Sequence, residues 1–124
     1  MSQESVLRTK SFAFAVRIIN LSKYLKVEQR EYLMSQQVLK SGTAIGALVR
    51  EAEFAESPQD FMHKLAIGLK EANETVYWLL LLKATSFITE RMFDSLFSEA
   101  RELISMLVAS INTIKRKKNF SKRS

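Results

Sequence analysis

SPQDFMHKLAIGLKEANETVYWLLLLKAT, residues 57–85, reads as one long helix with a marked beginning. Ser57 precedes Pro58, and Asp60 follows three residues after the serine. A serine hydroxyl accepts from the free N–H groups of a first turn, proline is preorganised for the first helical position, and an acidic residue at this spacing returns the bond. Phe61, Leu65, Leu69, Ala72, Val76 and Leu80 recur at helical spacing and form the expected main stripe. Met62, Ala66, Tyr77, Trp78 and Leu81 widen it. Around VYWLLLL, residues 76–82, apolar side chains point in every direction, and the polar side that a surface helix needs disappears. Tyr77, Trp78, Leu81 and Leu82 are therefore the candidate oligomer interface. The alternative is a helix end central to an uneven monomeric bundle.

Three further helices flank this one. The first is expected over Val6–Lys26, with Phe12, Ala15, Ile19 and Ser22 as one stripe and Phe14, Ile18, Leu21 and Leu25 as its neighbour. A second helix follows a short break near Val27, with Glu28 and Glu31 near its positive end. Met34, Val38, Ile45, Leu48 or Val49, and Ala52 carry its buried face. A fourth begins near Thr89 or Glu90 and repeats apolar residues from Phe93 through Ala100 and Leu107 to Ile114. Three glycines and one proline in the whole chain argue against a strand-rich fold. Long amphipathic segments with short connections require antiparallel neighbours, so the expected fold is all-α, an up-down-up-down four-helix bundle over residues 1–114.

SGTAIGA, residues 41–47, places two glycines inside the second helix, each costing roughly 1 kcal/mol relative to alanine. Gly42 and Gly46 lie one turn apart on one bare face, beside Ser41, Thr43 and Ala47. Close helix packing explains that cost. A phosphate cradle does not, because neither the GxGxxG nor the GxxxxGK[ST] pattern is present and no strand precedes.

The composition offers little chemistry. A chain of 124 residues, 47% apolar and 26% charged, suffices for one packed domain. The absence of cysteine removes disulfides, zinc-thiolate sites and cysteine nucleophiles. His63, the single histidine, stands outside any H-E-x-x-H pattern, so a surface or packing role is expected and no metal. Glu71 with Glu74, and Glu99 with Glu102, share helix faces but lack the E-x-x-H partners of a di-iron bundle. Asp60 with Lys64 and Lys70 with Glu74 are ordinary solvated pairs, and Arg50, Glu51, Lys70, Glu71 and Glu74 are placed to bridge the second and third helices. No catalytic residue, cofactor or metal site emerges, and the protein is not expected to be an enzyme. A small-ligand protein is the distant alternative.

The net charge of +6 is localised. Residues 1–114 hold 13 basic and 13 acidic side chains, whereas residues 115–124 hold six basic and none acidic. Lys115, Arg116, Lys117, Lys118, Lys122 and Arg123 are candidate phosphate contacts on RNA or DNA, with Phe120 placed to stack on a base. The competing reading of residues 115–124 is a flexible, solubilising tail. MSQESVLRTK is polar and the longest apolar run has seven residues, far short of the roughly 20 that span a bilayer. A cytoplasmic protein without membrane contact is expected.

The same segments carry a family resemblance. SFAFAVRIINLSKYL (11–25), QVLKSGTAIGALVREA (37–52) and DFMHKLAIGLKEANETVYWLLLL (60–82) resemble the four helix bundle protein family, whose early members are encoded in intervening sequences of bacterial 23S ribosomal RNA genes. Lys40, Ser41, Ile45, Gly46, Glu51 and Ala52 match the family pattern of the second helix, while Ala44 and Leu48 replace its usual serine and asparagine. Asp60, Phe61, Lys64, Lys70, Glu71, Glu74, Tyr77, Trp78 and Leu79 follow that of the third, with Ala66 an approximate match. The likeness spans most of residues 8–114. It implies a four-helix bundle without known catalytic activity and, from several relatives, a cyclic homopentamer. The chain is also distantly similar to the accessory variability proteins of diversity-generating retroelements, which are pentamers that bind nucleic acid beside a reverse transcriptase. Their positive surface is far more extensive than the neutral body here.

Overall fold

The computed structural model describes the backbone of residues 3–123 and the side chains of residues 6–118. Four helices follow in order: α1 (Gln3–Val27), α2 (Leu33–Glu53), α3 (Pro58–Ala84) and α4 (Glu90–Arg123). The fold is all-α. Cross-helix pairs show the direction of each neighbour. On α1 and α2, Arg8 reaches Glu53 and Ser22 reaches Ser35; on α1 and α4, Lys10 reaches Glu102 and Arg17 reaches Glu99. Rising numbers on one helix meet falling numbers on the other, so these neighbours are antiparallel. Likewise Gly68 of α3 lies beside Leu48 of α2, and Thr75 beside Ser41. α1 packs on α2, α2 on α3 and α3 on α4, with a slighter α1–α4 seam; among the described residues the backbones of the diagonal pairs, α1 with α3 and α2 with α4, do not approach within 8 Å between Cα atoms.

Capping fixes where the helices begin. Ser57 is extended at φ −155° and ψ 163°, its hydroxyl accepts from Asp60 N at 3.0 Å, and Pro58 opens α3. The Asp60 carboxylate accepts from Glu56 N at 3.3 Å, one residue before the position a capping box would use. Thr89 serves α4 in the same way, its hydroxyl accepting from Met92 N at 3.1 Å. The start of α2 differs from the sequence expectation. Arg30 turns the chain at φ 51°, so the break runs over residues 28–32 and leaves Glu28 outside α2. Glu31 still serves the positive end, because its carboxylate accepts from Ser35 N at 2.9 Å.

The core is formed by one stripe from each helix. Phe14, Ile18 and Leu25 of α1, Ile45 of α2, Leu65, Leu79 and Leu82 of α3, and Leu103 and Leu107 of α4 are all fully buried. On α1 this is the second of the two expected stripes; in the first, only Ser22 is fully buried, and Phe12 and Ile19 stand in solvent. On α3 the buried line is Leu65, Gly68, Ala72, Thr75, Leu79 and Leu82, rotated from the expected one and leaving Leu80 exposed. The cause is the thinness of α2. A Cβ on Gly42 would stand 2.8 Å from the Ile18 side chain, and one on Gly46 would stand 3.3 Å from the Ser11 carbonyl oxygen. Gly42 leaves room for the Ile18 side chain, and elsewhere along α2 the partners are hydroxyl-bearing. The Ser22 and Ser35 hydroxyls meet at 2.8 Å, and Thr75 bonds to Ser41 at 3.0 Å. Buried hydroxyls so paired avoid the desolvation penalty of an unmet polar group.

α4 also departs from the expected boundary. Its last fully buried residue is Ile111, yet the helix runs past Ile114 to Arg123. Lysine and arginine are good helix formers and cations are favoured at a helix C-terminus, so the basic stretch extends the rod.

Two expectations test this packing. Gly42→Ala should lower stability to urea by about 1–2 kcal/mol, because overpacking against Ile18 outweighs the helix-propensity gain, whereas Gly68→Ala, whose Cβ would find only ordinary contacts, should raise it by about 0.5–1 kcal/mol. Ser86 closes α3 in the left-handed region at φ 65°, with Phe87 N donating to Leu82 O and Ser86 N to Lys83 O. Glycine is the natural residue for that closure, so Ser86→Gly should raise the melting temperature, corresponding to roughly 0.5–1 kcal/mol.

Candidate functional site

The residues singled out for assembly divide when placed in the fold. Tyr77 is 55% exposed, and Trp78 and Leu81 are half-buried. Leu82 is 0% exposed inside its own bundle and leaves the candidate interface, because the rotation of α3 turns it onto the core. Leu80, assigned to the core stripe by periodicity, stands 47% exposed and replaces it on the surface. The aromatic pair is held in place. Tyr77 and Trp78 meet edge to face with ring centroids 5.3 Å apart, and Trp78 Nε1 donates to the Glu74 carboxylate at 3.3 Å.

A second apolar face lies on α1, where sequence reasoning placed core. Phe12 is 68% exposed, and Val16 and Ile19 are also open to solvent. They sit one turn apart on one side of the helix. The clue in the sequence was that SFAFAV, residues 11–16, carries apolar groups on more than one side, so a single core face cannot hold them all. α1 and α3 are diagonal in the bundle, so the two faces look away from each other.

The basic end is the third surface. Lys115, Arg116, Lys117 and Lys118 are exposed on the helical extension of α4, while the side chains of Phe120, Lys122 and Arg123 lie outside the described residues. The charges expected to bridge α2 and α3 do not do so among the described residues. Ion pairs instead join α1 to α2 through Arg8 and Glu53, α1 to α4 through Arg17 and Glu99 at 2.9 Å and through Lys10 and Glu102, and α3 to α4 through Lys83 and Glu90. All are substantially exposed, and such pairs set register more than they stabilise.

The remaining concave places are shallow. A groove of about 280 Å³ along the α1–α4 seam is lined by Arg17, Asn20, Leu21, Tyr24, Met92 and Leu96. A smaller one follows around Lys10, Glu99 and Glu102. His63 is exposed, and among the described residues no three histidine or acidic side chains gather as a metal site. Among them, too, no helix is long and apolar enough to cross a membrane.

A family model for the 23S rRNA-intervening sequence protein matches residues 3–109. Among solved structures, the chain is 50% identical to a Bacteroides thetaiotaomicron protein of unknown function from the S23 ribosomal protein family, crystallised at 1.70 Å. The alignment covers 90% of this chain and 99% of that one, with a TM-score of 0.89. No curated protein matches. The chain belongs to the 23S rRNA-intervening sequence protein family, as its helix patterns suggested. The matched span holds both apolar faces and ends before the basic stretch.

The leucines of the α3 run separate core from surface. Leu82→Ala should cost about 2–5 kcal/mol in urea unfolding, the usual range for a buried leucine, and Leu80→Ala less than about 1 kcal/mol under conditions where the protein is dilute.

Proposed function

We propose that this member of the 23S rRNA-intervening sequence protein family works by assembly and not by catalysis. Copies associate through the α1 and α3 faces in the cytoplasm, and the assembly gathers the basic ends of α4 onto RNA or DNA. The observation that carries this reading is the placement of large uncovered apolar side chains on two helices that lie diagonally across the bundle. Burying a Phe12- or Leu80-sized side chain contributes roughly 1.5–3 kcal/mol, so a partner covering both faces gains far more than an isolated exposed leucine would suggest.

Geometry favours a second copy as that partner. When two different faces point away from each other, the face of one copy meets the other face of the next, and such head-to-tail contacts close into a ring when the rotation allows. Five copies is the number favoured by the family resemblance. Clustering then matters for the basic ends, because several weak phosphate contacts on one particle act together. The polar chemistry of the interior supports a structural role: Ser22 with Ser35, and Ser41 with Thr75, spend their hydroxyls on one another.

Sedimentation velocity tests the reading. Phe12→Asp and Leu80→Asp, each changing an exposed residue, should each convert the assembly to a slower species while leaving the helical circular dichroism spectrum intact. Variants that both sediment like the parent chain would sink it.

A further inference from the structure

Lys115, Arg116, Lys117 and Lys118 are consecutive on a helix, and successive residues are turned by about 100°, so four cations cover all sides of the rod. All are exposed, and the helix holding them continues beyond the last fully buried residue, Ile111, as far as Arg123. From Lys115 to Arg123 the free rod spans roughly 12–14 Å at the α-helical rise. The body behind it is formally neutral, with 13 basic and 13 acidic residues in positions 1–114. The molecule therefore concentrates its field on one projecting helix.

We propose that this projecting end of α4 enters the major groove of B-form DNA, so that the nucleic acid named in the function above is a DNA duplex. The inference rests on that reading and narrows it. A rod charged all round suits a site with phosphates on both flanks, and a helix about 10–12 Å across fits a groove about 12 Å wide. A flat anionic lipid surface favours a helix with one apolar and one basic side, and Lys115–Lys118 offer no apolar side. A-form RNA has a deep, narrow major groove that does not admit a helix. Single strands are held by several stacking platforms in succession, and residues 115–124 carry one aromatic residue, Phe120. The contacts are to phosphates, so the site positions the protein on duplex DNA without selecting a sequence.

The test uses the full chain with fluorescently labelled DNA duplex, an RNA duplex of the same sequence and the single DNA strand, read by anisotropy over a salt series. Asn119→Pro keeps every charge and interrupts the helix, while Asn119→Ala keeps both charge and helix. The DNA duplex should bind at least about tenfold tighter than either competitor, with a log–log salt slope approaching about 5 per engaged chain if all six cations take part. Asn119→Pro should weaken duplex binding about tenfold or more with an unchanged melting temperature, and Asn119→Ala should bind like the parent. If Asn119→Pro binds DNA as the parent does, or RNA duplex or single strand binds as tightly, the groove inference is overturned and the broader nucleic-acid reading stands. If no nucleic acid binds even at low salt, both are overturned.

Discussion

The close approach of α1 to α2 at Gly42 and Gly46 is the constraint from which the rest of the arrangement follows. With the Ile18 side chain and the Ser11 backbone pressed against bare helix, there is no room for side chains of α2 at these two positions. α2 is small on its other flank as well, where Ser41 meets Thr75. Apart from Ile18, which fills the space over Gly42, both neighbours turn small residues towards α2: Ser11 and Ser22 on α1, Gly68 and Thr75 on α3. Their bulkier apolar flanks must then go elsewhere. Leu79 and Leu82 find the core, while Phe12, Val16, Ile19, Tyr77 and Leu80 are carried outward. The surface available for partners is thus a consequence of how tightly the centre is packed.

Much of this was legible from residue spacing alone. The Ser57–Pro58–Asp60 signal locates the start of α3, Thr89 and Glu90 mark that of α4, and the paired glycines point to a close helix contact. What spacing could not provide was rotation. A helix with apolar residues on several sides has several plausible core stripes, and only the neighbour's shape selects among them. Hydropathy favours a line through Leu69, Val76 and Leu80; the thin α2 favours the line through Gly68 and Thr75, because a hydroxyl pair and a glycine fit where two branched side chains do not. The same ambiguity hid the α1 face and put Leu82 among the surface candidates. The α2 start was missed for a local reason, since nothing in the residue type of Arg30 announces a left-handed turn.

Three kinds of surface stand apart on one small body. Large apolar side chains are exposed on two diagonal helices, and the net positive charge is carried by a helix end that runs past the core. The family match covers both apolar faces within residues 3–109 and ends before Lys115.

The most direct measurement of the central claim is absolute mass in solution by light scattering, on the full chain and on a chain ending at Ile114, across protein concentration and salt. The account predicts the same multiple of the protomer for both chains, near five times 14.2 kDa for the full one, since the faces on α1 and α3 are intact in each. Two monomers throughout would contradict it, and the exposed side chains of α1 and α3 would then belong to a contact with a different protein.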